Sequence, residues 1–167
     1  KEPEEKIFDE NTDSIRNSAD IFKQLAYFMD FEQAVYCLQR LERKIKFENF
    51  TVTDEEKLRI WSSYAYVSLF SKDLAKALEL CEEIKHLKLT GSKPFASFYA
   101  EYMTALVYMY QGKLKEAVRT AKLARSAAIE AGMENWQFVA ELLEVQAKMS
   151  GWCNIFFSAD NVEINDQ

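Results

Sequence analysis

One short phrase occurs three times in this chain, each time between two stretches of helical periodicity. It joins an aromatic or loop residue, a few polar residues and an alanine that opens a second helix. The three alanines, Ala34, Ala77 and Ala117, follow one another at intervals of about 40 residues. A self-similar period of this size is typical of helical hairpins that stack side by side and present a binding surface. The repeat therefore predicts a helical platform for a partner.

The composition favours an all-α fold and excludes several classes of function. Only four Gly and two Pro occur in 167 residues, too few turn formers for a many-stranded β-sandwich. The formal net charge of −6 argues against general binding to nucleic acids or anionic membranes, because phosphate binding needs a basic footprint. No long apolar run or signal segment occurs in the sequence, so we predict an intracellular protein, cytoplasmic or nuclear. The start at Lys1 rather than Met suggests a fragment of a larger protein or a processed chain.

Apolar periodicity and capping residues predict seven helices after an acidic arm, residues 1–12. The first helix is expected from Asp13 to about Met29. The clearest start is at Thr53, which with Glu56 forms a capping box. We expect Ser150-Gly151 to stop the last helix. The remaining six helices are expected at about 31–45, 54–70, 74–87, 94–110, 114–131 and 134–149.

The residues that could carry chemistry do not form a catalytic, metal or nucleotide site in the sequence. Cys37, Cys81 and Cys153 lie far apart without CxxC spacing, which predicts neither a disulfide framework nor a zinc site. Cys37 and Cys81 are interpreted as small buried residues in a reducing compartment. His86 is the single histidine and is interpreted as a surface residue at a helix C-terminus. We therefore predict a protein that is not an enzyme and has no metal or cofactor; a helical sensor pocket or an enzyme is a third, minor hypothesis.

Once the hairpins are aligned, their residues resemble the tetratricopeptide repeat (TPR) family. The resemblance covers roughly residues 13–150 and is weakest in the first unit, and the units are longer than the usual length of about 34 residues. The matching positions of the second unit are Trp61, Tyr64-Ala65, Ser68, Lys72, Ala77, Cys81 and Ile84. Those of the third unit are Glu101, Thr104-Ala105, Tyr108, Gly112, Ala117, Ala121 and Ala124.

This resemblance implies an all-α, right-handed superhelical stack of antiparallel hairpins, a TPR-like α-solenoid of about seven helices. It implies repeat units at about 13–50, 53–90 and 93–131 and a capping helix at 133–150, within a repeat domain at 13–151. Residues 152–167 are expected to form a C-terminal tail whose aromatic part docks on the last helix.

The resemblance also implies a concave groove lined by the first helix of each hairpin. The carboxylate clamp of chaperone-binding TPR domains is absent, since the matching places are mainly Ala, Ser, Tyr and Met. A row of Tyr with Met and Leu replaces it, which suits a peptide or helix with apolar anchors. The competing interpretation is that many of these aromatic residues pack between neighbouring helices. The predicted groove residues are Lys23, Tyr27, Arg59, Tyr66, Phe70, Tyr99, Tyr102, Leu106, Met109, Tyr110 and Glu141.

Two hypotheses for function follow. The first is a non-enzymatic scaffold for protein–protein interaction and complex assembly, which binds a partner's peptide or helix in the groove. The second is a self-association or assembly module, in which Trp152, Ile155, Phe156 and Phe157 swap onto a neighbouring copy or join a further repeat of a longer chain.

Overall fold

The computed structural model describes residues 31–48 and 50–163, with side chains described as far as Gly151. The secondary structure of this part is helical, which confirms the prediction of an all-α fold. The predicted first helix, with Lys23 and Tyr27, lies outside the described residues. The described residues contain six helices, which are α1 Phe31–Phe47, α2 Asp54–Phe70, α3 Leu74–Lys85, α4 Lys93–Tyr110, α5 Leu114–Glu130 and α6 Glu134–Glu163.

The bounds of α1 to α5 agree with the prediction to within about two residues, and local capping fixes the starts of α2 and α3. The capping box before α2 forms as expected. Glu56 donates its backbone N–H to the Thr53 hydroxyl at 3.2 Å, and the Thr53 backbone N–H donates to the Glu56 carboxylate at 2.9 Å. Asp73 caps α3 in a similar way, because its carboxylate accepts from the Lys76 N–H at 3.1 Å.

The prediction that Ser150-Gly151 ends the last helix is wrong, because α6 continues to Glu163. The Ser150 hydroxyl donates to the Gln146 carbonyl at 2.9 Å within the helix, and a side chain at Gly151 would be in ordinary contact with Leu114. A glycine inside a helix costs only about 1 kcal/mol relative to alanine, so it does not by itself stop one. The predicted docking of the aromatic tail concerns side chains outside the described set.

Three interhelical turns share one backbone geometry. In each turn, an N–H after the helix donates back to a carbonyl of the last helical turn at 2.9 Å, as in a Schellman motif. These bonds run from Asp73 to Ser68, from Lys113 to Tyr108 and from Met133 to Ala128. The residue before each donor has a positive φ, which is 65° at Lys72, 71° at Gly112 and 67° at Gly132. Lys72 thus has a side chain where the two other turns have glycine.

The chain divides into two compact units, residues 1–96 and residues 97–167. In the first unit, α2 packs against both α1 and α3. Its core contains the large side chains of Leu38, Leu41, Ile60, Trp61, Tyr64, Leu80 and Ile84. Ala34 and Ala77, two of the three repeated alanines, are fully buried in this unit.

The second unit consists of α4 from Ser97 onward, α5 and α6. The buried face of α5 contains only small residues, which are Ala117, Thr120, Ala121, Ala124 and Ala128. Two clusters fill the space around it. Phe98 and Trp136 stack beside Ala124 and Ala128, with ring centroids 4.9 Å apart, and Leu143 packs with Ala105 and Ala121.

We expect Lys72→Gly to raise the free energy of unfolding by up to about 1 kcal/mol, because glycine adopts a positive φ without a Cβ clash. Gly112→Ala should lower it by about the same amount. Urea unfolding monitored by circular dichroism measures both changes. Gly91→Ala is the matched control, since Gly91 does not have a positive φ and has open space around it. Equal effects of Gly112→Ala and Gly91→Ala would contradict this account of the turns.

Candidate functional site

An aromatic patch lies where α2 ends and α1 begins; it consists of Phe31, Tyr36, Tyr66 and Phe70. The Tyr66 and Phe70 rings lie one helical turn apart, with centroids separated by 4.6 Å. The Phe70 ring stacks on Phe31 at 6.3 Å, with only 12° between the ring planes. Tyr36 and Phe70 are 46% and 44% exposed, so large aromatic surface faces solvent here.

The aromatic patch adjoins a hollow of about 370 Å³ that α1 and the first turn residue after α2 surround. Phe31, Val35 and Tyr36 supply its apolar wall. Its polar lining residues are Glu32, Gln39 and Ser71. The guanidinium carbon of Arg40 lies 5.8 Å from the centre of the Tyr36 ring and holds that ring from the side of α1. The hollow can therefore receive one apolar side chain of a ligand. Its polar lining residues can hydrogen-bond the backbone of that ligand.

Of the groove residues predicted from the sequence, Tyr66 and Phe70 meet in this patch. Arg59 is exposed on the same helix, about two turns earlier. In the second unit, Tyr110 is 57% exposed at the end of α4. Lys23 and Tyr27 lie outside the described residues.

The middle of the predicted tyrosine row contributes to helix packing. The Tyr102 ring lies 5.5 Å from the ring of Phe98, and burial raises the pKa of Tyr102. Leu106 and Met109 pack against the cluster around Leu143. The half-buried Tyr99 precedes them on α4. The competing interpretation, packing between neighbouring helices, therefore describes Tyr102, Leu106 and Met109.

An ionic network joins α1 and α3, and it was not predicted from the sequence. Carboxylate oxygens of Glu42, Glu79 and Glu83 lie within 4.8 Å of one another, close enough to hold a cation. The Lys46 ammonium contacts all three, at 2.8 Å from Glu42 and 3.4 Å from Glu79. The Lys76 ammonium bridges Glu42 at 2.7 Å and Glu79 at 3.0 Å. The cationic groups that contact these carboxylates are therefore the ammonium groups of Lys46 and Lys76.

Burial acts to lower the pKa of the Lys46 ammonium, but the Glu42 and Glu83 carboxylates outweigh it and hold that pKa above its usual value. Lys46 also lies 5.7 Å from the centre of the Trp61 ring, which adds a cation–π contact. Lys46 therefore connects α1 to α3 and links both helices to Trp61 in the core of the first unit. The sequence signals only the pairs within each helix, through the spacing of Glu42 with Lys46 and of Lys76 with Glu79.

Next to this network lies a larger pocket of about 780 Å³. Ile45, Phe50, Val52 and Leu87 give it apolar walls. Asp54 lies at its edge, where the backbone N–H of Lys88 donates to its carboxylate at 2.8 Å. That bond, with the nearby Lys57 ammonium, lowers the pKa of Asp54. The arrangement ties the start of α2 to the segment after α3.

His86 also lines this pocket and forms the C-cap of α3, where its Nδ1–H donates to the Glu82 carbonyl at 2.7 Å. This exposed position agrees with the expected surface role at a helix C-terminus. Cys37 and Cys81 are buried, as predicted, and the side chain of Cys153 is outside the described set. Within the described residues, no helix combines the length and the apolar character needed to cross a bilayer.

Glu144 is a buried carboxylate on α6 that basic side chains surround. It accepts a hydrogen bond from Lys148 at 2.6 Å, and nitrogens of Arg125 and Lys122 lie 3.9 Å and 4.0 Å from it. The Lys148 bond, which outweighs burial, lowers the pKa of Glu144 below its usual 4.5. Glu141, a predicted groove residue, lies one turn earlier, 3.9 Å from Arg125, and accepts from Gln137 at 3.0 Å. These side chains form a charged face on the second unit.

Comparisons of the chain with protein-family models, with curated proteins and with solved structures find no match. The resemblance to the TPR family stays a prediction that its residues support.

We expect Glu144→Gln to reduce the acid sensitivity of the fold. Because the folded pKa of Glu144 is depressed, its carboxylate stabilises the folded state above the unfolded pKa, and this contribution is lost as pH falls from about 5 through the folded pKa. The free energy of unfolding, measured by urea titration between pH 7 and pH 3, should fall less steeply in Glu144→Gln than in the wild type. Glu130→Gln removes the same charge from an exposed site and is the control. Equal acid slopes in the wild type and Glu144→Gln would contradict the assignment.

Proposed function

We propose that this chain is a non-enzymatic protein-interaction module that binds a peptide or helix of a partner protein. The observation that carries the proposal is the aromatic patch, in which the Phe70 ring stacks on Phe31 and contacts the tilted ring of Tyr66 at the edge of a hollow on the first unit. Aromatic side chains that are held in place by their neighbours, yet partly open to solvent, are the residues that contribute most at protein interfaces.

The shape of the patch favours a peptide over a flat protein surface. The hollow can bury one anchor side chain of the ligand against Phe31, Val35 and Tyr36. Glu32 and Gln39 at its rim can bind the ligand's backbone N–H groups or a basic side chain. We therefore infer a ligand with an apolar anchor flanked by a basic residue.

We further propose that the hairpins belong to a TPR-like, right-handed stack. The repeated Schellman turns at Lys72, Gly112 and Gly132 support this proposal, as do the fully buried Ala77 and Ala117 after two of them. We infer an intracellular location, because Cys37, Cys81 and Cys153 lie far apart without disulfide-framework spacing, which suits a reducing compartment.

Selection of a phage-displayed random peptide library against the intact chain tests the proposal. Enriched peptides are expected to combine an aromatic or aliphatic residue with Lys or Arg. Phe70→Ala should raise the dissociation constant of a selected peptide at least about tenfold, because truncating an interface hot spot costs 1 to 2 kcal/mol or more. Fluorescence polarisation with the labelled peptide measures this change.

Phe47→Ala is the matched control, since Phe47 lies on α1, is 78% exposed and is outside the patch. It should leave peptide affinity unchanged. Thermal melts of both variants should stay close to that of the wild type, because both side chains are substantially exposed. Equal peptide affinity of Phe70→Ala and the wild type, or a library from which no peptide is enriched, would sink the proposal.

A further inference from the structure

A row of exposed apolar side chains follows one face of α6. Phe138, Leu142, Val145 and Met149 are 67%, 49%, 49% and 62% exposed, and we call them the α6 seam. Their spacing alternates between four and three residues, which is the heptad pattern of helices that pair along their length. The opposite face of α6 is occupied, since it buries Ala140, Leu143 and Ala147 in the second unit.

The helix is longer than its packing within the second unit requires. Gly151 of α6 lies beside Leu114, the first residue of α5. α6 nevertheless continues to Glu163. In the sequence, Trp152 and Phe156 continue the same alternation of three and four residues. The heptad pattern therefore extends beyond the part of α6 that α5 accompanies.

Charges next to the seam favour one arrangement of a partner helix. Glu141 and Lys148 occupy equivalent heptad positions, each directly before a seam residue. Both are partly open to solvent, with side chains 41% and 51% exposed. An antiparallel second copy would place Phe138 opposite Met149 and Leu142 opposite Val145. Glu141 of each copy would then lie near Lys148 of the other.

A parallel pair would lose this complementarity, because Glu141 and Lys148 would then face the uncharged residues Gln146 and Cys153 of the other copy. An antiparallel pair repeats every contact twice about a two-fold axis, as a closed homodimer requires. We propose that the α6 seam binds the α6 seam of a second copy of this chain in antiparallel orientation. This interface is independent of peptide binding at the aromatic patch.

Sedimentation equilibrium of the full chain and its charge variants tests the proposal. The wild type should show a concentration-dependent dimer. Glu141→Lys and Lys148→Glu should each weaken it roughly tenfold, because two attractive rim pairs become repulsive. An equimolar mixture of these two variants should dimerise like the wild type, because each Lys then meets a Glu of the other variant.

This mixing result separates the interface from contacts within one chain. Within a chain, Lys at position 141 would lie near Arg125, and Glu at position 148 near Glu144. Those repulsions are unaffected by mixing, so they cannot produce a rescue. Circular dichroism melts of each variant check that it folds.

Leu142→Glu should abolish the dimer, whereas Leu123→Glu, at a comparably exposed position on α5, should leave it intact. A wild-type chain that stays monomeric at its highest soluble concentration would overturn the proposal. A dimer that survives Leu142→Glu would also overturn it, as would a mixture that dimerises no better than the single charge variants.

Discussion

Close approach of helices along small side chains is the constraint on which the second unit depends. The inner face of α5 contains four alanines and Thr120, so the helices beside it are not kept apart by side chains. Leu143 and the stacked pair of Phe98 and Trp136 fill the wider gaps. α6 directs Ala140, Leu143 and Ala147 inward, and Phe138, Leu142, Val145 and Met149 lie exposed on its opposite face.

The first unit uses a different balance of forces. Large side chains such as Trp61, Tyr64 and Leu80 fill its core, and charged residues join its helices at the edge. Lys46 and Lys76 hold three carboxylates between α1 and α3, so charges that would repel one another become a bridge. The aromatic patch, at the start of α1 and the end of α2, shares no residue with this ionic network. The Tyr36 and Phe70 rings of this patch are exposed.

Local signals explain what the sequence could predict. The Thr53 capping box and the glycines at 112 and 132 act within one helical turn, and the helix bounds that depend on them agree with the structure. The prediction that the last helix ends at Ser150-Gly151 was wrong. A glycine stops a helix only where the chain turns, and here α6 continues. The contacts of Lys46 with Glu79 and Glu83 form only when α1 and α3 come together, so no local sequence pattern predicts them. Similarly, Tyr102 and Tyr110 share a helix and a residue type, and only the neighbouring helices decide that one packs and the other is exposed.

We propose that the aromatic patch of the first unit is a binding surface for a peptide. Backbone amide chemical-shift mapping of the isotope-labelled chain, titrated with a library-selected peptide, tests it most directly. We expect the largest shifts in residues 31–36 and 66–73, with α5 almost unchanged. Shifts concentrated in residues 97–130, with the amides of Phe31 and Phe70 unaffected, would contradict it.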